Sequence, residues 1–223
     1  VVGSNIFNLM VVLGVCAVIA ELKVSKDVLK RDYPFSVLCA ILLLVAGVIG
    51  MTLGRMDGII FLVIFAVFIF YLIKSALDAR KRGEISEKER EMNEEMEEME
   101  DLPVWKCILY IVGGAIAIKY GGDWVVDSAS VIATSFGISA TLVGLTICSV
   151  GTSLPELVTS IVAARKNELD MAVGNVVGSN VFNILMVLGI AATVSPIAFL
   201  TENIIDIVVL LVFSLITWVL CVT

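Results

Sequence analysis

VVGSNIFNLMVVLG, Val1–Gly14, returns later in the chain as VVGSNVFNILMVLG, Val176–Gly189. Ten of the 14 positions are identical at an offset of 175, and the shared residues include Gly, Ser and Asn as well as the Val and Leu that apolar sequence repeats by chance. The pattern is an internal duplication, and such a duplication constrains the whole fold. Around it the chain is far too apolar for a water-soluble globule: 59% of its 223 residues are hydrophobic and only 17% charged, with a mean hydropathy of +1.03. Soluble domains sit nearer half apolar and a quarter charged. The expected class is therefore all-α, a polytopic membrane helix bundle.

A bilayer crossing needs about 20 predominantly apolar residues. Seven stretches meet or approach that length: Val1–Ala20, Phe35–Leu53, Ile59–Ile73, Val104–Phe136, Ser139–Ala164, Met171–Ser195 and Ile204–Cys221. The fourth is interrupted by Lys119, Asp123 and Asp127. It is read as one long tilted helix, since neither half alone reaches span length. Basic residues support the count. Twelve follow the first, third and fifth spans (Lys23, Lys26, Lys30, Arg31, Lys74, Arg80, Lys81, Arg82, Lys88, Arg90, Arg165 and Lys166), against Arg55 alone in the alternate loops. Odd-numbered spans are thus expected to end in the cytoplasm. The repeated segments lie in spans one and six, five crossings apart, so they run in opposite directions. Inverted-topology repeats are the architecture of many secondary transporters, whose binding sites lie near the midplane where the repeats meet.

Gly83–Asp101 is a different material, with ten acidic residues among 19. Ser86 with Glu89 reads as a capping box, Met92, Met96 and Met99 share a helical face, and Pro103 closes the segment. It is expected to be a solvated cytoplasmic linker. The absence of His excludes His-based metal sites and proton relays. The five cysteines, Cys16, Cys39, Cys107, Cys148 and Cys221, form no CxxC pair and read as small buried hydrophobes. Val1 opens in mid-pattern, without a Met or a signal peptide, as expected of a fragment.

Span five contains GTSLPEL, Gly151–Leu157, and Glu156 is the sole ionisable group between Asp127 and Arg165. A carboxylate at membrane depth costs several kcal/mol unless paired, protonated or metal-bound, and so marks function. Pro155 has no donor for the Gly151 carbonyl, so a break or kink is expected there, freeing carbonyls over residues 148–151 beside Thr152 and Ser153. Span six adds Ser179 and Asn183, four apart on one face, while Asn175 and Asn180 are placed on other sides of that helix. Gly174 and Gly178, spaced small-xxx-small, are expected to admit a neighbouring helix. Hydroxyl, amide, carbonyl and carboxylate oxygens suit Ca²⁺ and alkali cations rather than zinc, copper or nickel, and a dry cage disfavours Mg²⁺.

GTSLPEL followed by GNVVGSNVFNILMVLG resembles the second alpha repeat of the calcium/cation antiporter superfamily, close to compact prokaryotic sodium/calcium exchangers. Val1–Ala20 resembles the end of the first alpha repeat. The resemblance implies the inverted-repeat exchanger fold of ten helices, about seven of them here: residues 1–78 as helices three to five, 79–103 as the linker, and 104–223 as helices six to nine. It implies metal ligands at Thr152, Ser153 and Glu156, at Ser179 and Asn183, and at Ser4 and Asn8, with further first-repeat ligands upstream of Val1. Members of the family, potassium-dependent exchangers among them, carry Asp where Asn183 stands. The long fourth span, with Gly121, Gly122 and Asp123, resembles a sliding gate helix. The implied function is secondary antiport of Ca²⁺ against Na⁺ by alternating access in a prokaryotic inner membrane. Ca²⁺ and Na⁺ are the expected substrates and the lipid bilayer the setting. No cofactor, enzymatic activity, nucleic-acid partner or obligate protein partner is inferred. Rival readings are a Ca²⁺/H⁺ exchanger of the same superfamily and a non-transporting membrane scaffold. An intramembrane aspartyl protease using Asp123 and Asp127 fits poorly, because two acids four apart on one helix cannot form a cross-helix dyad.

Overall fold

The computed structural model describes residues 1–20, 24–25, 27–81, 103–138, 140–143, 146–147 and 149–222. Seven principal helices follow one another: α1 (Val2–Ile19), α2 (Val28–Gly50), α3 (Arg55–Lys81), α4 (Val104–Ser135), α5 (Ser149–Arg165), α6 (Leu169–Val194) and α7 (Thr201–Val222). Among the described residues, six of these, α1 to α4, α6 and α7, are long and apolar enough to cross a bilayer. The chain is an all-α multi-pass membrane bundle, as its composition requires. The fourth span is one helix of 32 residues, so its three charges do not divide it.

Of the expected fifth span, Ser139–Ala164, the described residues include a turn at Ala140–Val143 and α5. Helix α5 runs on through Pro155 without the break expected there. Pro155 still withholds an N–H from Gly151, but the Ser149 carbonyl is not free: it accepts the Thr152 hydroxyl at 3.1 Å. Span two starts earlier than expected, at Val28, and ends at Gly50. Met51 takes the left-handed conformation, φ 48°, which stops the helix. Residues Thr52–Leu53 (β1) then pair antiparallel with Ile197–Ala198 (β2). The linker expected over 79–103 falls almost wholly on residues outside those described.

Two compact units are distinguished, Ile64–Gly121 and a larger one made of Val1–Val63 with Gly122–Thr223. The larger contains the repeat. Here α1 packs on α5, α6 and α7, α2 packs on α6 and α7, and α5 packs on α6. Its interior is built from the apolar faces of these helices: Leu9, Val12, Leu13, Leu43, Val173, Val177, Leu185 and Ile207 are buried. One backbone approach is close enough to require glycine. A Cβ on Gly58 of α3 would lie 2.6 Å from the Gly189 carbonyl of α6. Tyr33 and Trp218 stack with ring centres 6.3 Å apart, and the Trp218 indole N–H donates to the Leu29 carbonyl at 3.0 Å, tying α7 to the start of α2.

The duplication is preserved in backbone detail. Each copy is α-helical, widens into a π-helical turn at Asn8–Val12 or Asn183–Val187, and resumes as α-helix to Ile19 or Val194. Each terminates on an extended residue, Ala20 or Ser195. The Leu13 and Leu188 amides reach back five residues to the Asn8 and Asn183 carbonyls. Such π-turns within α-helices are rare and occur often at functional sites.

Candidate cation site

The site forms where α1, α5 and α6 meet. Four asparagines from the two copies join across the repeat axis. Asn5 Nδ2 donates to the Asn180 carbonyl at 3.3 Å, and Asn180 Nδ2 donates to the Asn5 carbonyl, also at 3.3 Å. Asn8 Nδ2 donates to Asn180 Oδ1 at 3.1 Å, and Asn183 Nδ2 donates to Asn5 Oδ1 at 3.0 Å. Asn5, Asn8 and Asn180 are buried. Each of their side-chain nitrogens finds an acceptor within the network, in a region that water does not reach.

Two buried oxygens fall outside this economy. Among the described residues, Asn8 Oδ1 and Glu156 Oε2 have no hydrogen-bond partner. An unpaired acceptor held away from water costs about 1–3 kcal/mol, and an ionised one more. Each therefore creates a standing demand for a donor or a cation.

Glu156 projects from α5 into a cavity of about 460 Å³, which it lines together with Gly174, Asn175, Gly178, Ser179, Phe182 and Asn183 of α6. The Ser179 hydroxyl interacts with the Glu156 carboxyl group. Asn175, Ser179 and Asn183 recur every four residues, giving this cavity wall a line of oxygens. Among the described residues, nothing packs on Gly174 or Gly178, whose spacing is that of a helix-packing face. A Cβ on either would meet nothing within 4 Å, and both open onto the cavity.

Of the seven candidate ligands, Glu156, Ser179 and Asn183 line this cavity. Ser4, Asn8 and Ser153 are buried. Ser153 joins α5 to α1 through its hydroxyl, which donates to the Ser4 carbonyl at 3.4 Å, and Ser4 itself donates to the Val1 carbonyl at 2.7 Å. Thr152 stands apart. Its side chain is exposed and donates to Ser149 within its own helix. Two features escaped the sequence reading. Asn5 and Asn180 are the centre of the amide network, whereas the sequence reading set Asn180 only on another side of the helix from Ser179 and Asn183. Asn175 ties α6 to α5 by donating to the Thr159 hydroxyl at 2.9 Å and the Ser160 hydroxyl at 3.0 Å. The signal for the first was present, since the duplication retains Asn5/Asn180 alongside Asn8/Asn183. Among the described residues, no three His, Cys, Asp or Glu side chains cluster, so the site offers mainly neutral oxygens around one acid.

The family described as sodium/calcium exchanger protein matches residues 1–74 and 106–223. The chain is 36% identical to the inner membrane protein YrbG of Escherichia coli (strain K12), over 97% of this chain and 67% of that protein. It is 42% identical over 88 residues to the sodium/calcium exchanger MaX1 of Methanosarcina acetivorans, covering 40% of this chain and 25% of that one. The solved structure of the sodium/calcium exchanger from Methanococcus jannaschii superposes with a TM-score of 0.69 at 28% identity, over 98% of this chain and 65% of that one. The chain thus spans about two thirds of the length of YrbG and of that exchanger.

Proposed function

Because this chain belongs to the sodium/calcium exchanger protein family, we propose that it is the central part of a secondary antiporter that exchanges Ca²⁺ for Na⁺ by alternating access. The observation that carries this reading is Glu156 Oε2, buried and without a hydrogen-bond partner among the described residues, on a carboxylate that shares its cavity with Ser179 and Asn183. Hard oxygen donors with a single carboxylate suit Ca²⁺ and Na⁺, which have similar ligand preferences and so compete for overlapping sites. Glu156, Ser179, Asn183, Ser153, Ser4 and Asn8 are the proposed ligands, and Thr152 joins them through a rotation of its exposed side chain. Further oxygens come from the counterpart of α5 in the first repeat, which the inverted symmetry places against the open glycine face of α6.

The energetic logic of exchange follows from burial. A bare carboxylate in a low-dielectric site resists closure over it, and a cation-loaded one does not. Closure is therefore coupled to occupancy by either ion, which makes each ion's exit depend on the other's entry. Lys30, Arg31, Arg165 and Lys166 mark the cytoplasmic ends of the helices, in the inner membrane that YrbG's name specifies for that relative. Residues 1–78 and 104–223 act as the inverted halves, with 79–103 as a cytoplasmic linker and α4 as a gate helix.

The test is Ca²⁺ uptake by the full-length protein in sealed vesicles, driven first by an outward Na⁺ gradient and then by a pH gradient alone. Uptake is expected with Na⁺. Uptake under the pH gradient only would assign the protein to Ca²⁺/H⁺ exchange, with Glu156 as the proton carrier, and no uptake under either would favour a scaffold.

A further inference from the structure

An amide side chain is a cation ligand only when its oxygen, and not its NH₂, faces the ion. Nothing in Asn8 or Asn183 alone makes that choice, because a half-turn about the terminal bond exchanges the two ends. The choice is made by their neighbours. A main-chain carbonyl can only accept, so the Asn5 and Asn180 side chains must each turn Nδ2 toward the other's carbonyl, at 3.3 Å in both cases. Their Oδ1 atoms are thereby directed away from the axis. Each Oδ1 then meets an asparagine of the opposite repeat and can receive only its NH₂: Asn8 onto Asn180 at 3.1 Å, Asn183 onto Asn5 at 3.0 Å. With its nitrogen so engaged, Asn8 presents an oxygen that has no partner.

We propose that Asn5 and Asn180 are positioning residues that fix the polarity of the two ligand amides, each repeat orienting the ligand of the other. They do not touch the ion. The arrangement uses backbone carbonyls as the fixed reference, so the setting persists whether the site is empty or filled. This inference rests on the ion-site reading given above, and it adds to that reading a source of specificity for cations over anions.

The test uses the full-length protein reconstituted in vesicles, with Ca²⁺ as the probe. Asn180→Leu removes the acceptor that orients Asn8. The apparent KM for Ca²⁺ is expected to rise about 10- to 100-fold, the range found when residues behind a metal ligand are lost, with a smaller change in the maximal rate. Asn8→Asp offers oxygen in either rotamer and does not depend on orientation. Adding it to Asn180→Leu is expected to restore the KM to that of Asn8→Asp alone, which a purely structural role would not allow. An unchanged KM in Asn180→Leu, or a folded double variant without recovery, would overturn the proposal. A measurement on the unmodified protein covers the case of a variant that does not fold. In asparagine-labelled protein, Ca²⁺ should shift the side-chain carbonyl signals of Asn8 and Asn183 and leave those of Asn5 and Asn180 in place; a ligand-like shift at Asn5 or Asn180 refutes it. The two readings fail separately. Intact exchange in Glu156→Gln removes the ion site itself, whereas loss of exchange there with an unaltered KM in Asn180→Leu removes only the positioning role.

Discussion

Asn5 and Asn180 lie 175 residues apart in sequence and reciprocate the same hydrogen bond, side-chain nitrogen to main-chain carbonyl, at the same 3.3 Å. The equality shows that the duplication is a working symmetry of the structure and not only a likeness of sequence. It also places the repeat axis between α1 and α6, beside the candidate ligands.

Glu156 is the sole acid of the cavity wall. Its replacement by Gln keeps the shape and removes the charge. Loss of one partner from a buried charge pair costs about 3–5 kcal/mol, so Ca²⁺ uptake by Glu156→Gln vesicles should fall by more than about a hundredfold. Size-exclusion profiles in detergent should stay unchanged, because one oxygen of this carboxylate has no hydrogen-bond partner to lose.

Glycines at two places should respond in opposite ways. Gly178→Leu extends a side chain into the cavity that Glu156 lines and should abolish transport. Gly58→Ala places a methyl 2.6 Å from the Gly189 carbonyl and should lower stability by about 1–3 kcal/mol, read as a lower Tm in the same detergent. If Gly178→Leu transports normally, ions do not pass through the cavity beside it.

Asn175 bridges α6 to the Thr159 and Ser160 hydroxyls of α5. Asn175→Ala leaves those groups to find other partners at a cost of about 1–3 kcal/mol. A drop in thermal stability is expected, together with weaker Ca²⁺ binding, since the same two helices hold Glu156 opposite Ser179. Unaltered thermal stability would show that the bridge does not hold the pair together.

Trp218→Phe keeps a ring against Tyr33 and loses the donor to the Leu29 carbonyl. A loss of about 1 kcal/mol is expected, and Ca²⁺ affinity should not move because this contact belongs to α2 and α7. An altered affinity would mean that the junction of these two helices is coupled to the site.

Much of this was legible in the sequence because the bilayer imposes few solutions. Span lengths follow from hydrocarbon thickness, and the duplicated GSN…N motif announces both the inversion and the residues at its centre. The ends of elements were harder. The start of α2 at Val28 precedes the apolar run, and its first residues, Val28–Asp32, form a wide turn ahead of Pro34, which cannot donate to Lys30. Pro155 misled in the other direction. It withholds one N–H from the Gly151 carbonyl, yet the helix continues through it. The role of Asn180 was missed because helical-wheel geometry separates it from Ser179 and Asn183, while the actual contact runs through the second repeat. No single-helix argument can show a partner that lies 175 positions away.

The crosswise amide network carries an evolutionary consequence. A change at position 5 is felt at 183, and a change at 8 is felt at 180, so neither half can drift alone. Across descendants of the duplication, substitutions should therefore travel as the pairs 5 with 183 and 8 with 180, and a chimera that joins halves from distant lineages should function only where both pairs match.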